Sequence, residues 1–171
     1  MILPFSTQIN GKPSYFVERI HSGLIINDLW PEAFDADFAH KGFSMDAFAE
    51  KDAKIHTIRE DKNNRWKVGA KVDFFINSRQ KNMFRFAPVL PVVSIQKIEI
   101  TWVSEVRSVE LSKLNSKRLN YVDVIIDGIL LCIQDIKELA QNDGFDTVEE
   151  FFAYFNEDFT GKLIHWTNKR Y

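Results

Sequence analysis

The spacing of apolar residues changes several times along the chain, and each change marks an expected element. Ile2 to Ile9 reads as a first strand, closed by the turn-forming pair Asn10-Gly11. Pro13 stands where a first helical residue would, and Phe16, Val17, Ile20 and Leu24 recur at helical spacing. With Gly23 as its stop signal, this spacing predicts a helix near 14–25. Residues of about 27–53 carry Trp30, Phe34, Phe38, Phe43 and Phe48 among acidic side chains and read as a covering insertion with short helices. The period then shortens to two. Thr57 and Arg59 share one strand face and Ile58 the other. Val72, Phe74 and Ile76 alternate with polar neighbours in the same way. Val93 and Ile95 continue that pattern, but Ile98, Ile100 and Trp102 are in the opposite phase, which predicts a β-bulge near Gln96-Lys97. Val122, Val124 and Ile126 form another strand, ended by Asp127-Gly128.

The helical period returns at Ile133, Ile136 and Ala140, and Gly144 is placed to cap that helix. Asp146 or Thr147 then starts the next one, with Glu149 or Glu150 completing a capping box. Val148, Phe151, Phe152 and Phe155 make its core-facing stripe. Helices are therefore expected near 132–142 and 147–156. After Gly161, Leu163 to Trp166 reads as a last strand. Mostly antiparallel strands with helices inserted between them give an α+β class.

Composition narrows the possibilities. The 171 residues are 45% hydrophobic and 27% charged, the profile of one folded domain spanning the whole chain. A net charge of −2 argues against a generally basic nucleic-acid binder, yet the charge is uneven. Residues 54–85 hold nine basic and three acidic side chains, whereas 28–52 hold seven acidic and two basic ones. Such a cationic face suits a phosphate-bearing ligand; two solvated surfaces of opposite sign are the plainer reading. Cys132 is the only cysteine, so no intrachain disulfide forms and a reducing cytoplasm is the expected location. Its apolar neighbours Leu131 and Ile133 predict a buried, structural thiol. The first residues lack the pattern of a signal peptide, and no apolar run approaches the roughly 18 residues of a membrane span.

The common catalytic signatures are absent. The four histidines (21, 40, 56 and 165) have no metal-site spacing, so neither a metal nor a cofactor is expected, and His165 reads as structural. No Gly-rich phosphate loop or nucleophile elbow occurs. A DNA-reading helix-turn-helix around Gly144 is disfavoured because Glu149, Glu150 and Glu157 would meet phosphates with the wrong sign.

What remains is Lys54-Ile55-His56-Thr57-Ile58-Arg59, followed by Arg65-Trp66-Lys67-Val68-Gly69. The first run resembles the K-x-x-T-I-R signature of the ASCH (activating signal cointegrator homology) domains of the PUA-like superfamily. Leu139 to Phe145 and Glu149-Glu150-Phe151 resemble that family's second signature, an acidic helix end before an aromatic helix. The resemblance covers most of the chain outside the insertion. It implies a partly open β-barrel with helices packed around it and a cleft between them. Small bacterial members with the same run are amidohydrolases that remove the acetyl group from acetylated cytidine. Carried over, their catalytic set becomes Lys54, Thr57 and, in place of a Glu, Asp143.

The implied chemistry is coherent. A threonine hydroxyl becomes a nucleophile once a base takes its proton, and a lysine is that base when burial lowers its pKa. The carboxylate orients the lysine or returns a proton to the leaving amine. Two departures stand against the transfer: Asp143 is one methylene short of Glu, and Lys54 and Thr57 would face opposite sides of a regular strand. They converge only if Lys54 precedes the strand or its stem wraps round it. Otherwise Lys54 is a surface lysine and Thr57 an ordinary strand residue. Arg59, Trp66 and Lys67 are the candidate ligand-binding residues: forked donors for a phosphate or base edge, a stacking surface and a further cation. Trp66 also reads as a core tryptophan. Arg79, Lys81 and Arg85 decorate a hairpin loop with Asn82. Three functions follow: a module binding a nucleoside, nucleotide or RNA in its cleft, an amidohydrolase of acylated nucleosides, or an interaction protein docking an unknown protein partner through 27–53.

Overall fold

The computed structural model of the protein describes residues 1–31, 52–102 and 122–171. Most of the expected insertion at 27–53 therefore lies outside the described residues. Eleven strands and three helices are seen among them, a mixed α+β arrangement in which no sheet closes on itself.

The strands form two main sheets. In the first, β1 (Ile2–Phe5) runs parallel to β5 (Lys71–Ile76), which also pairs antiparallel with β6 (Phe84–Arg85) and β7 (Leu90–Pro91). In the second, the order is β10 (Ile129–Leu130), β9 (Val122–Ile126), β8 (Ser94–Trp102), β11 (Phe159–His165) and β4 (His56–Arg59), all antiparallel. Strand β4 is thus an edge strand. The small hairpin of β2 (Gln8–Ile9) and β3 (Lys12–Pro13) turns through Asn10-Gly11, both at positive φ. Pro13 accordingly ends a strand instead of starting the helix.

The second sheet separates two cores. Ile58, Ile98 and Leu163 face a cluster completed by helices α2 (Ile133–Asn142) and α3 (Val148–Tyr154). Their strand neighbours Ile95 and Ile164 face the other cluster, with Phe74, Phe86, Trp166 and helix α1 (Phe16–Ile26). Phe16 touches both. Strand β8 needs no bulge, because its pairing with β11 is continuous from Ser94 to Ile100. The phase break has another cause: Gln96 is the inward residue, and its amide is bonded to Asp127 and to the Tyr171 backbone.

The helix termini follow the expected caps. Gly144, at φ +90°, closes α2 in a Schellman motif in which the Phe145 N–H donates to the Ala140 carbonyl and the Gly144 N–H to that of Gln141. The Thr147 hydroxyl accepts the Glu150 N–H at the start of α3. Helix α1 ends at Ile26, close to the expected bound, but Gly23 lies inside it and does not stop it. Gly23 serves a close approach: a Cβ there would stand 2.6 Å from the Lys54 carbonyl oxygen. Cys132 is exposed, not buried, because it caps α2 beside the edge strand β10, where its thiol donates to Asp135. None of the helices among the described residues is long and apolar enough to cross a membrane.

Candidate active site

Residues 54 and 55 form a short bridge before the edge strand β4. The Lys54 N–H donates to the Arg19 carbonyl of α1 and the Ile55 N–H to the Asn142 carbonyl at the end of α2. This double attachment carries the Lys54 side chain along the C-cap of α2. Its stem passes Gly144, where a Cβ would lie 3.1 Å from Lys54 Cδ. The ammonium reaches Asp143: Nζ donates to the carboxylate Oδ1 at 2.6 Å and also to the Asp143 backbone carbonyl. Nζ lies 4.7 Å from the centroid of the Phe16 ring. Both partners are buried, at 1% and 4% exposure.

Burial in this apolar surround pushes the Lys54 pKa down to about 8; the Asp143 carboxylate opposes that shift, and Arg59 and Arg19 reinforce it. For Asp143, burial works in the raising direction, but Lys54 and His56 together hold its carboxyl below the ordinary carboxylate range. The helix C-terminus itself disfavours a carboxylate at this position, so the ammonium answers both penalties.

These groups open onto a cleft of about 600 Å3 where the edge of the second sheet meets the end of β1. Lys54, Thr57, Arg59 and Asp143 all line it. The opposed-face difficulty is resolved by position: Lys54 precedes the strand, and β4 is an edge, so residues from both of its faces reach one opening. Thr57 is 3% exposed and lines the cleft. Arg59 spans the two sheets, with Nη2 donating to the Pro4 carbonyl at 2.7 Å and the guanidinium 5.2 Å from the centroid of the Phe5 ring. Its Nε has no partner among the described residues. Burial lowers the Arg59 pKa from its ordinary value. The rim is polar and aromatic: Gln8, Asn10, Asn77, Gln80 and Tyr154 border the opening.

Two expected ligand-binding residues lie elsewhere. Trp66 is 6% exposed in the first core, and its backbone N–H is held by Asp61. Asp61 accepts from the Arg65 and Trp66 N–H groups and pairs with Lys162 at 2.8 Å. Burial would raise its carboxyl, but these partners prevail and hold it down at about 2. Lys67 is exposed and outside the lining of the cleft. The basic stretch is further divided, since Lys62 pairs with Glu60 and Arg85 with Asp73.

Motif and spacing alone miss His56, Asn142 and Tyr171. His56 Nδ1 stands 3.6 Å from Asp143 Oδ1, and its Nε2 is 2.9 Å from the Tyr171 hydroxyl, which accepts from Asn142 Nδ2 at 2.8 Å. The available signal is phase: His56 shares a face with Ile58 and so points inward, toward the end of α2. His165, also unexposed, has no hydrogen-bond partner at either ring nitrogen among the described residues. No group of three His, Cys, Asp or Glu side chains among the described residues is arranged to hold a metal. Comparison with protein-family models, curated proteins and solved structures gives no significant match.

Proposed function

We propose that this protein is an ASCH-type, PUA-like amidohydrolase that deacylates an acylated nucleoside such as acetylcytidine. The observation that carries the reading is a buried lysine of lowered pKa, held by a buried carboxylate in the same cleft as the Thr57 hydroxyl. A surface lysine has no reason to be placed in this way. The cleft is of a size that accommodates a nucleoside.

In this mechanism the neutral amine of Lys54 takes the Thr57 hydroxyl proton as Oγ1 attacks the acyl carbonyl carbon. The C–N bond breaks, the proton passes to the departing exocyclic amine, and the acyl group rests on Thr57 as an ester. Water, deprotonated by Lys54, hydrolyses the ester and restores both residues. Asp143 orients the lysine throughout. Arg59 offers donors to the base edge, and Tyr154 a ring on which a base stacks.

A binding module without chemistry draws less support, because of the nine basic residues of 54–85 only Lys54 and Arg59 line the cleft. Docking through 27–53 concerns residues mostly outside those described. The test is incubation with acetylcytidine and measurement of released cytidine. The wild-type protein should produce it, and Thr57→Ala should abolish the activity while leaving the melting temperature near that of the wild type. No turnover by the wild type, or turnover surviving Thr57→Ala, overturns the mechanism.

A further inference from the structure

Behind the Lys54–Asp143 pair lies a second line of polar groups that the proposed chemistry does not use. Asn142 Nδ2 can only donate, so the Tyr171 oxygen accepts its hydrogen at 2.8 Å. The hydroxyl's own hydrogen is then available to His56 Nε2, 2.9 Å away. With Nε2 accepting, the neutral imidazole carries its hydrogen on Nδ1, which stands 3.6 Å from Asp143 Oδ1. That last step is electrostatic, slightly longer than a hydrogen bond. The opposite tautomer would turn a lone pair toward the carboxylate. We infer that His56 is a positioning residue: Asn142, Tyr171 and His56 form a one-way chain of donors that ends on Asp143 and holds its carboxylate against Lys54.

The surroundings fit this role. Tyr171 is fixed through its backbone, since Gln96 Nε2 donates to its carbonyl at 2.8 Å and its N–H donates to Gln96 Oε1 at 2.9 Å. His56 itself is fully buried, which favours the neutral ring; Asp143 opposes that effect, while Lys54 and Lys169 add to it. Lys169 is itself engaged by Glu138 at 2.6 Å. His165 pairs with His56 across β11 and β4, and its ring centroid lies 5.4 Å away. Having no hydrogen-bond partner among the described residues, it does not compete for the His56 hydrogen. Asp127 and Arg170 face His165, and Glu138 faces Tyr171.

The activity arm of the test rests on the hydrolase reading; the spectroscopic arm does not. Long-range nitrogen–proton NMR of ring-labelled histidine should show His56 neutral, with hydrogen on Nδ1 and an acceptor at Nε2. In Tyr171→Phe the Nε2–H form should grow, and kcat on acetylcytidine should fall at least about tenfold with KM within about twofold, as when an outer partner of a reacting group is lost. His56→Asn, which keeps a donor near the Nδ1 position, should retain more activity than His56→Leu. A His56 carrying its hydrogen on Nε2 in the wild type, or a Tyr171→Phe protein with tautomer and kcat unchanged, overturns the inference. If the wild type does not hydrolyse acetylcytidine, the function falls and the tautomer alone decides this chain. Should a variant unfold, the wild-type spectrum still distinguishes the two tautomers.

Discussion

Exchanging the buried ion pair for apolar side chains separates what the site does for chemistry from what it does for stability. Lys54→Met keeps a stem of similar length past Phe16 and Gly144 but removes the ammonium. Asp143, 4% exposed, is left facing neutral His56 at 3.6 Å. The loss has a ceiling, because the stranded carboxyl escapes by taking a proton. Protonating a carboxyl whose ordinary pKa is 3.8 at about pH 7 costs ~4 kcal/mol. That lies within the ~3–5 kcal/mol expected when one member of a buried pair is removed, and corresponds to about 10 °C in Tm for a chain of this size. In the double variant Lys54→Met/Asp143→Leu neither charge remains. Apolar replacement of a buried pair is often neutral or stabilising, so most of the loss should return, with a coupling of about 3 kcal/mol. Urea unfolding of the four proteins measures this directly. The Lys54→Met deficit should also shrink to below about 2 kcal/mol at about pH 5, where protonation of Asp143 costs less. Single losses that simply add, or a deficit that ignores pH, would refute the account.

Three further outcomes are expected. Because Lys54 must be neutral to accept a proton, kcat/KM should rise with pH around a midpoint of about 8, and a profile flat across that value contradicts its role as base. Burial lowers His21 to about 4 and His165 to about 3, the Phe86 carbonyl opposing the shift at His21 and the neighbouring His56 ring and Arg170 adding to it at His165. The unfolded chain therefore binds these protons first; stability is full above about pH 6.5 and falls by about 2 kcal/mol per ring by about pH 5, so a urea midpoint constant over that interval would refute the burial argument. Gly23→Ala reverses the usual helix preference for alanine of about 1 kcal/mol, because the new Cβ meets the Lys54 carbonyl at 2.6 Å. It should lower stability by about 1–3 kcal/mol and depress turnover, whereas a stabilised, fully active variant would show that the 54–55 bridge shifts freely.

Local signals in the sequence are sound guides where the cause is local. Gly144 and Thr147 end and start their helices with their own backbone and side-chain bonds, so α2 and α3 lie close to their expected bounds. The convergence of Lys54, Thr57, Arg59 and Asp143 is legible only through two motifs taken together, since 89 positions separate Lys54 from Asp143. Reasoning from pattern fails where a distant segment decides the matter. Gly23 looks like a stop because the approach of Lys54 is invisible to helical periodicity. Gln96 looks like a bulge because hydropathy cannot register a buried amide whose partners are Asp127 and the Tyr171 backbone. Cys132 looks buried because the run from Ile129 to Ile133 is apolar, although Ile129 and Leu130 form an exposed edge strand and Ile133 is exposed at the start of α2. His56 escapes notice because a single inward histidine has no spacing to announce it.

The bridge at 54–55 also governs when the lysine becomes reactive. In an extended chain its amine has the ordinary pKa of 10.5 and is almost wholly protonated at neutral pH, hence chemically quiet. The lowered value exists only after Arg19 of α1 and Asn142 of α2 have both engaged the bridge. During synthesis from the N-terminus, Asp143 emerges 89 residues after Lys54. A nascent or partly folded molecule therefore carries no activated amine to be acylated by mistake. Reactivity arrives with the completed fold, and selective labelling of Lys54 by a small amine-directed reagent would report how many molecules in a preparation have reached it.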